Sequence, residues 1–200
     1  MEDFDRLALQ WDNEPGRLER AKIVAEAIIK EIPDLDRRVA LEYGCGTGLL
    51  SFNLQPYLHE IWLGDSSTGM LSVVEQKIEK LGIANMRPLR IDLSAGELPS
   101  LKLDLIYTLM ALHHVNPLGV VLQAFYDLLQ PGGWLCIADL VKEDGTFHSP
   151  DFTGHHGFET EELAATLRAI GFSDVRSSIC YTVSKQDKQY PLFLMSAQKR

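Results

Sequence analysis

The chain has 200 residues, of which 46% are hydrophobic and 24% charged, with a formal net charge of −9 at pH 7 and a mean hydropathy of −0.05. This length suits one domain, and the hydrophobic content allows a sizeable core, which excludes global disorder. The negative charge repels phosphate backbones, so we expect no nucleic-acid partner, and no apolar stretch approaches the roughly 20 residues that a membrane span needs.

The amino terminus and the cysteines bear on the compartment. Residues 1–5 are acidic and lack the basic region and apolar run of a secretory signal, so we expect a cytoplasmic protein with no membrane partner. The three cysteines, Cys45, Cys136 and Cys180, show no CxxC spacing, which argues against disulfides and against a thiolate zinc site. We expect Cys45 to be a small packing residue within a tight turn, and the other two to lie in the core.

The predicted elements begin with a helix whose apolar residues recur at helical spacing from Leu18 to Ile32, and Pro33 ends it. Beyond it, predicted strands at 38–43, 59–64, 86–91, 103–109 and 133–140 alternate with predicted helices at 48–54, 68–81, 117–129 and 160–170. A turn at 131–133 separates the helix at 117–129 from the strand at 133–140. Two final strands, 175–183 and 192–198, flank a short polar link and form a hairpin. The pattern predicts an α/β fold, with a mostly parallel sheet, helices on both faces and an antiparallel end.

A glycine turn follows the first predicted strand. Gly44, Gly46 and Gly48 come directly after the apolar run 39–41, so bare backbone lies at the carboxyl edge of the sheet. The spacing is G-x-G-x-G, whereas a dinucleotide fingerprint requires G-x-G-x-x-G to seat a pyrophosphate on a helix N-terminus. The turn alone is weak evidence, because glycine-rich turns between a strand and a helix also serve plain packing.

Three acids, Glu42, Asp65 and Asp92, occupy the tips of three consecutive predicted strands. A carboxylate at the position of Asp65 accepts hydrogen bonds from both hydroxyls of a ribose, and one at Asp92 accepts from an adenine amino group. Each acid has a plainer interpretation: Asp65 as a helix N-cap, a role that Ser66 or Ser67 would also fill, and Asp92 as the residue that begins a loop. Together the three indicate a site for an adenosine-bearing cofactor.

Several motifs of the chain resemble those of the class I S-adenosylmethionine-dependent methyltransferases. The run 41–48 is similar to the first motif of that family, 63–71 to its second-strand motif, and 92–93 to its adenine-contacting acid. Residues 104–107 with 112–115 resemble the fourth-strand motif of the small-molecule "type 11/12" branch, and 128–135 the motif entering the fifth strand. Gly64 departs from the branched residue that is usual there, and 95–97 depart in the loop that would meet the adenine.

The resemblance implies a Rossmann-like, seven-stranded, mostly parallel sheet with a C-terminal antiparallel hairpin, and S-adenosylmethionine as the cofactor, with S-adenosylhomocysteine as the product. It also implies roles for individual residues. Glycines would border the methionine part, Glu42 would orient the turn or the cofactor ammonium, and the backbone of Leu109 would face the amino group. Asp65 would hold the ribose, Ser66 or Met70 would lie against the adenine, and Asp92 with Leu93 would contact its edge. The full set of implied cofactor-binding residues is Glu42, Gly44, Cys45, Gly46, Gly48, Asp65, Ser66, Met70, Asp92, Leu93 and Leu109.

Histidines are the candidates for catalysis. His113 and His114 follow the fourth strand at its carboxyl edge, where they act as a base, line the acceptor pocket or simply fix the loop. His155 and His156 lie in a long loop, where they either face the acceptor or are solvated. Histidine spacing does not resemble HExxH, and we expect no metal site. Further pocket candidates are Phe4, Trp11, Arg17 and Tyr107.

We therefore expect one methyltransferase domain over residues 1–200, with a helical cap at 1–33, a cofactor-binding half at 38–140, a lid loop at 141–157 and a substrate-side part at 158–200. It would act on a small-molecule methyl acceptor by in-line transfer, as a monomer or homodimer. The alternatives are a cofactor-binding regulatory or interaction module without transferase activity, and a nicotinamide-dependent oxidoreductase. The glycine spacing and the terminal hairpin argue against the oxidoreductase.

Overall fold

The computed structural model describes residues 4–96 and 98–200. Residues 1–3 of the acidic terminus, and Glu97 in the loop after Asp92, lie outside the described residues. The helices are α1 (Phe4–Leu7), α2 (Pro15–Glu31), α3 (Leu49–Leu54), α4 (Thr68–Leu81), α5 (Leu118–Leu128) and α6 (Thr160–Ile170). The strands are β1 (Val39–Tyr43), β2 (Glu60–Asp65), β3 (Met86–Arg90), β4 (Leu103–Leu109), β5 (Leu129–Leu140), β6 (Phe172–Lys185) and β7 (Lys188–Lys199).

The seven strands form one sheet in the order β3-β2-β1-β4-β5-β7-β6. Strands β1 to β5 are mutually parallel, while β7 pairs antiparallel with both β5 and β6. The strand order reverses between β1 and β4, so the carboxyl edge there is the switch point at which open α/β sheets bind ligands. This architecture confirms the predicted fold, including the terminal hairpin.

Two apolar cores cover the two faces of the sheet. Helices α2, α3 and α4 pack on one face through residues such as Val24, Leu50 and Val74, and α5 and α6 pack on the other through residues such as Phe125 and Leu167. Within the described residues, no helix has the length and apolar character needed to cross a membrane.

The starts of the last three strands differ from their predicted bounds, since β6 begins at Phe172 rather than at residue 175 and β7 at Lys188 rather than at residue 192. Strand β5 begins at Leu129 rather than at Gly133, because Leu129 already pairs with Leu103 before the register shifts and Trp134 pairs with Leu105. The predicted turn at 131–133 is therefore an irregularity within the strand, where Gly132 has a φ of 81°. The departure at Gly64 also has a packing reason: a Cβ at this position would lie 2.7 Å from a side-chain carbon of Ile91.

Candidate active site

A cavity of about 690 Å³ opens at the carboxyl ends of β1, β2, β3 and β4. This volume falls within the usual range for small-molecule sites, about 300–1,000 Å³. The sequence-predicted residues that line it are Glu42, Gly44, Cys45, Gly46, Asp65, Ser66, Met70, Asp92, Leu109 and His114. The three strand-tip acids thus share one cavity.

The glycine turn is held against β2 by main-chain hydrogen bonds. The amides of Gly44 and Cys45 both donate to the Gly64 carbonyl, at 2.8 and 3.0 Å, and the Gly46 amide donates to Asp65 Oδ2 at 2.7 Å. A Cβ on Gly44 would lie 2.4 Å from the Ala111 Cβ, so this position requires glycine. Gly46 has a φ of 52° and lines the cavity; a Cβ there would project towards Trp11 and Met70, both more than 3.5 Å away. Its backbone therefore offers the close approach that a ligand needs.

Glu42 is buried at the floor of the cavity. Its Oε2 accepts hydrogen bonds from the Ser51 amide at 3.1 Å and from the Ser51 hydroxyl. Burial raises the pKa of Glu42 to about 8, partly opposed by these two hydrogen bonds. The free protein therefore holds a mostly neutral acid there at pH 7, which a bound cation would ionise.

Asp65 accepts from two main-chain amides at once. Its Oδ2 accepts from Gly46, and its Oδ1 from Ser67 at 2.9 Å, while the Ser67 hydroxyl caps α4 by accepting from the Met70 amide. The N-cap role thus falls to Ser67, as the alternative interpretation allowed. Each carboxylate oxygen retains accepting capacity, so Asp65 can also accept from a ligand in the cavity. Burial raises its pKa, and the amide donors oppose that rise.

Asp92 is exposed, and its Oδ1 accepts from the amide and hydroxyl of Ser94, so it does begin a loop. It nevertheless lines the cavity, with Ser94 beside it. Two implied cofactor residues fall outside the described lining. The Leu93 side chain is fully buried. Gly48, with a φ of 81°, is the residue before α3, and a Cβ there would lie 3.0 Å from side-chain carbons of Leu63 and Phe52. Cys45 lines the cavity, but burial raises the pKa of its thiol well above the usual value, which does not favour a nucleophile.

His114 is the one candidate catalytic histidine in the described lining. Burial, followed by the neighbouring His113 and His148, lowers the pKa of His114 to about 3. His113 is buried beneath it, and its Nδ1 lies 2.6 Å from Asp139 Oδ1. His114 is therefore a neutral ring on the cavity wall, and His113 is a ring fixed behind it.

The other candidate acceptor residues do not line the described cavity. His155 Nε2 is 3.0 Å from the carbonyl oxygen of Val115, a lining residue, so His155 lies behind the cavity wall. His156 Nδ1 is 3.3 Å from Glu143 Oε1, away from the lining. Tyr107 is fully buried, with its hydroxyl 2.7 Å from Ser51 Oγ. It is therefore a core residue, because its hydroxyl finds its partner on α3.

The amino-terminal segment covers the cavity. Phe4, Trp11 and Arg17 all line it, and the Arg17 guanidinium stacks 3.6 Å from the centre of the Trp11 ring. Two acids of this segment, Asp5 and Asp12, contact residues that follow β2 in the chain. Asp5 accepts from the Ser67 hydroxyl and the Gly69 amide at 2.6 Å each, and Asp12 forms an ion pair with Lys77. The segment is thus attached to the start of α4, directly after Asp65, and to the Lys77 side chain further along that helix.

Comparison with known proteins agrees with this geometry. A family model described as a methyltransferase domain matches residues 40–133, which include the glycine turn and the three acids. An uncharacterised methyltransferase of Schizosaccharomyces pombe is 36% identical over 142 residues, covering 64% of this chain and 50% of that protein. Residues 40–133, a little under half of the chain, thus resemble a methyltransferase domain.

Two further similarities concern a relative and a solved structure. An uncharacterised methyltransferase of Mycobacterium tuberculosis is 27% identical over 131 residues, covering 64% of this chain and 65% of that protein. The chain thus spans between half and two thirds of these curated relatives. A solved complex of the Haloferax volcanii Trm112 methyltransferase activator with a methyltransferase gives a TM-score of 0.78 at 15% identity, covering 100% of this chain and 99% of that one. The latter likeness shows a shared fold.

The cavity is also lined by residues that the sequence analysis did not predict. Arg20 lines the cavity, burial lowers its pKa, and its Nε has no hydrogen-bond partner among the described residues. The sequence could have indicated Arg20 as a lining residue, since it lies one helical turn beyond Arg17 on the same face of α2. Phe152 and Gly154 of the long loop also line the cavity. The sequence gave no comparable indication for Phe152 and Gly154, because residues in an irregular loop follow no periodic pattern.

Proposed function

We propose that the protein transfers a methyl group from S-adenosylmethionine to a small-molecule acceptor bound in the 690 Å³ cavity. The observation that carries the proposal is the convergence of Glu42, Asp65 and Asp92 with the bare backbone of Gly46 on this one cavity. The cofactor, when bound, supplies an activated methyl group that an acceptor lone pair takes, with S-adenosylhomocysteine as the product.

The residues present fit such a cofactor. The Gly46 backbone leaves room at the turn that a side chain would fill, and the buried Met70 supplies an apolar wall. Asp65 supplies acceptors for a ribose diol, Asp92 an acceptor for an adenine amino group, and Glu42 a negative charge for the ammonium. Of the implied set, Leu93 would contribute through its main chain alone, and Gly48 would support the turn from behind.

The acceptor would occupy the part of the cavity bounded by His114, Arg20 and the long loop. A half-buried guanidinium lacking a described acceptor for its Nε favours a substrate with a negative charge, such as a carboxylate or phosphate. The amino-terminal segment and residues 149–154 of the lid loop would exclude water and align the acceptor with the methyl carbon. A His114 ring with a pKa of about 3 is neutral but weakly basic, so it would line the acceptor pocket rather than take a proton from the acceptor.

A direct experiment is incubation of the purified protein with S-adenosylmethionine and a panel of small acids, amines, thiols and phenols, followed by assay of S-adenosylhomocysteine. Acceptor-dependent product supports transfer. Tight cofactor binding without turnover on any acceptor would favour the alternative of a binding module. Thermal shift gives the cofactor preference, since a ligand at 100 times its dissociation constant stabilises by about 2.7 kcal/mol. A larger shift with a nicotinamide dinucleotide would contradict the proposal.

A further inference from the structure

Three histidine rings from two separate segments meet beside the cavity. His113 and His114 lie in the turn after β4, and His148 lies in the loop between β5 and α6. Each offers one ring nitrogen within 4.8 Å of the other two. The ring centres are 4.2 Å apart for His113 and His114, 5.0 Å for His113 and His148, and 5.4 Å for His114 and His148. We call these three residues the histidine cluster.

Asp139 orients one member of the cluster. The carboxylate accepts a hydrogen bond from His113 Nδ1 at 2.6 Å, and also accepts from the main-chain amides of His113 and Leu140, at 3.3 and 2.7 Å. Because a carboxylate can only accept, the hydrogen of a neutral His113 ring is on Nδ1, and Nε2 presents its lone pair. A carboxylate behind a histidine is the usual second partner of a metal-binding imidazole.

The loop that carries His148 is fixed to the turn that carries the other two rings. The His155 amide donates to the His113 carbonyl at 2.7 Å. Gly154 lies so close that a Cβ there would be 2.3 Å from the same carbonyl oxygen. Phe152 stacks on the His148 ring, with centres 3.9 Å apart and planes 17° from parallel. The cluster is therefore part of a packed arrangement and not a chance meeting of surface side chains.

We propose that the histidine cluster binds one divalent transition-metal ion of the zinc class. Imidazole nitrogen suits zinc, copper, iron and nickel, and three protein ligands with an open fourth position are typical of catalytic zinc sites. Zinc–nitrogen bonds of about 2.0–2.1 Å place tetrahedral ligand atoms about 3.4 Å apart, so binding would draw the three nitrogens together. Rotation of the His114 and His148 rings, with a small shift of the loop, would supply that contraction, while Asp139 holds the His113 ring.

The metal would lie at the cavity wall, because His114 and Phe152 both line the cavity. Its remaining position would take an oxygen, sulfur or nitrogen atom of the methyl acceptor and lower the pKa of that atom. This use of the metal rests on the proposed function, whereas the metal site itself does not. Residue spacing does not predict this site, because His148 is distant in sequence and only the fold brings it close to His113 and His114.

The test uses protein purified without a polyhistidine tag and stripped of metal with a chelator. Zn²⁺ is titrated by calorimetry, and Co²⁺ by the visible absorption that tetrahedral coordination produces. We expect one ion per chain, a loss of affinity of at least tenfold in His148→Ala and in His114→Ala, and a change of less than twofold in His59→Ala. His59 is exposed and lies outside the cluster, so it controls for adventitious surface binding.

The wild-type titration decides the matter even where a variant folds poorly. Absence of saturable one-to-one binding in wild type would overturn the metal site, as would equal losses in His59→Ala and His148→Ala. Titration of the same samples with S-adenosylmethionine separates the two proposals. Cofactor binding without metal binding would leave the proposed function intact, and metal binding without cofactor binding would leave only the site.

Discussion

The ring of His113 and the carboxylate of Asp139 form a buried pair, with Nδ1 and Oδ1 2.6 Å apart. Asp139 belongs to β5 and His113 to the turn after β4, so the pair ties two neighbouring strands together at the edge that carries the cavity. Asp139 thus fixes the orientation of the His113 ring, and the rings of His114 and His148 lie next to it. We therefore treat Asp139 as a positioning residue.

Asp139→Asn is expected to weaken Zn²⁺ binding by about 10–100-fold, the usual effect of replacing the partner of a metal-binding histidine. Asparagine is neutral and replaces one of the two accepting oxygens with a donor, so it fixes the hydrogen on Nδ1 less firmly. Affinity for S-adenosylmethionine should change less than twofold, because Asp139 does not appear in the described cavity lining. Parallel calorimetric titrations with metal and cofactor check both statements. Equal losses for the two ligands would indicate a general structural defect.

Asp65→Ala is expected to weaken S-adenosylmethionine binding by about 1.5–3 kcal/mol, the range for hydrogen bonds to a charged group. This corresponds to roughly 10–150-fold in the dissociation constant. Calorimetry measures the change, and Asp127→Ala, an exposed acid on α5, is the control. Unchanged affinity in Asp65→Ala would refute the assignment of this carboxylate to the ribose.

Gly46→Ala tests whether the cofactor approaches the backbone of Gly46 closely. Gly82→Ala is the control, because both glycines have a positive φ. Gly46 and Gly82 have φ values of 52° and 64°, and a Cβ on Gly82 meets nothing within 4 Å. Alanine at either site should cost about 1–2 kcal/mol in the free energy of unfolding, since both need the left-handed conformation. Only Gly46→Ala should also lose cofactor affinity, by tenfold or more. Chemical denaturation and calorimetry separate the two effects, and similar cofactor affinity in both variants would contradict the proposed close approach.

The raised pKa of Glu42 leads us to expect that the protein releases a proton when the cofactor binds. Because burial raises its pKa to about 8, the free protein at pH 7 holds mostly the neutral acid, and a bound ammonium favours the carboxylate. Binding should therefore expel a proton at pH 7, and affinity should rise with pH and level off above about 8. Calorimetry in two buffers of different ionisation enthalpy counts the protons.

Glu42→Gln is the control for that measurement, since glutamine has no proton to lose and the ligand's own titration remains. The variant should release fewer protons than the wild type and show a flatter dependence of affinity on pH. The same proton count in both proteins would exclude Glu42 as the group that ionises.

Arg20→Met separates binding from stability. Burial of an arginine whose Nε lacks a described hydrogen-bond partner disfavours the folded state, so its replacement should leave the melting temperature unchanged or raise it. Turnover of anionic acceptors should fall through a higher KM, with cofactor affinity retained. Lys22→Met, an exposed change on the same helix, controls for loss of one positive charge. A lower melting temperature in Arg20→Met would assign the guanidinium a structural role.

Much of the fold was predictable because each element carried a local signal. Apolar periodicity and Pro33 placed the end of α2 correctly, and the polar link before Leu192 gave the terminal hairpin. The start of β5 was wrong because glycines in the sequence resemble a turn, while pairing with β4 extends the strand across them. The gathering of Glu42, Asp65 and Asp92 at one cavity was predictable for a similar reason, since consecutive parallel strands bring their tips to the same edge of a sheet.

The acceptor side was harder to predict because its residues come together through long loops. Adjacent His155 and His156 suggested a pocket, but the structure directs them to Val115 and Glu143. His148 carried no local signal of its partnership with the turn after β4. Side chains on irregular segments are positioned by tertiary contacts, which neither spacing nor propensity encodes.

A crystal structure of the protein with S-adenosylhomocysteine tests most directly whether the strand-tip acids hold the cofactor. We predict ribose hydroxyls within hydrogen-bond distance of the Asp65 carboxylate, the adenine edge at Asp92, and the amino-acid part against Gly44 and Gly46. A ligand bound outside this cavity, or one whose ribose meets no strand-tip carboxylate, would contradict this prediction.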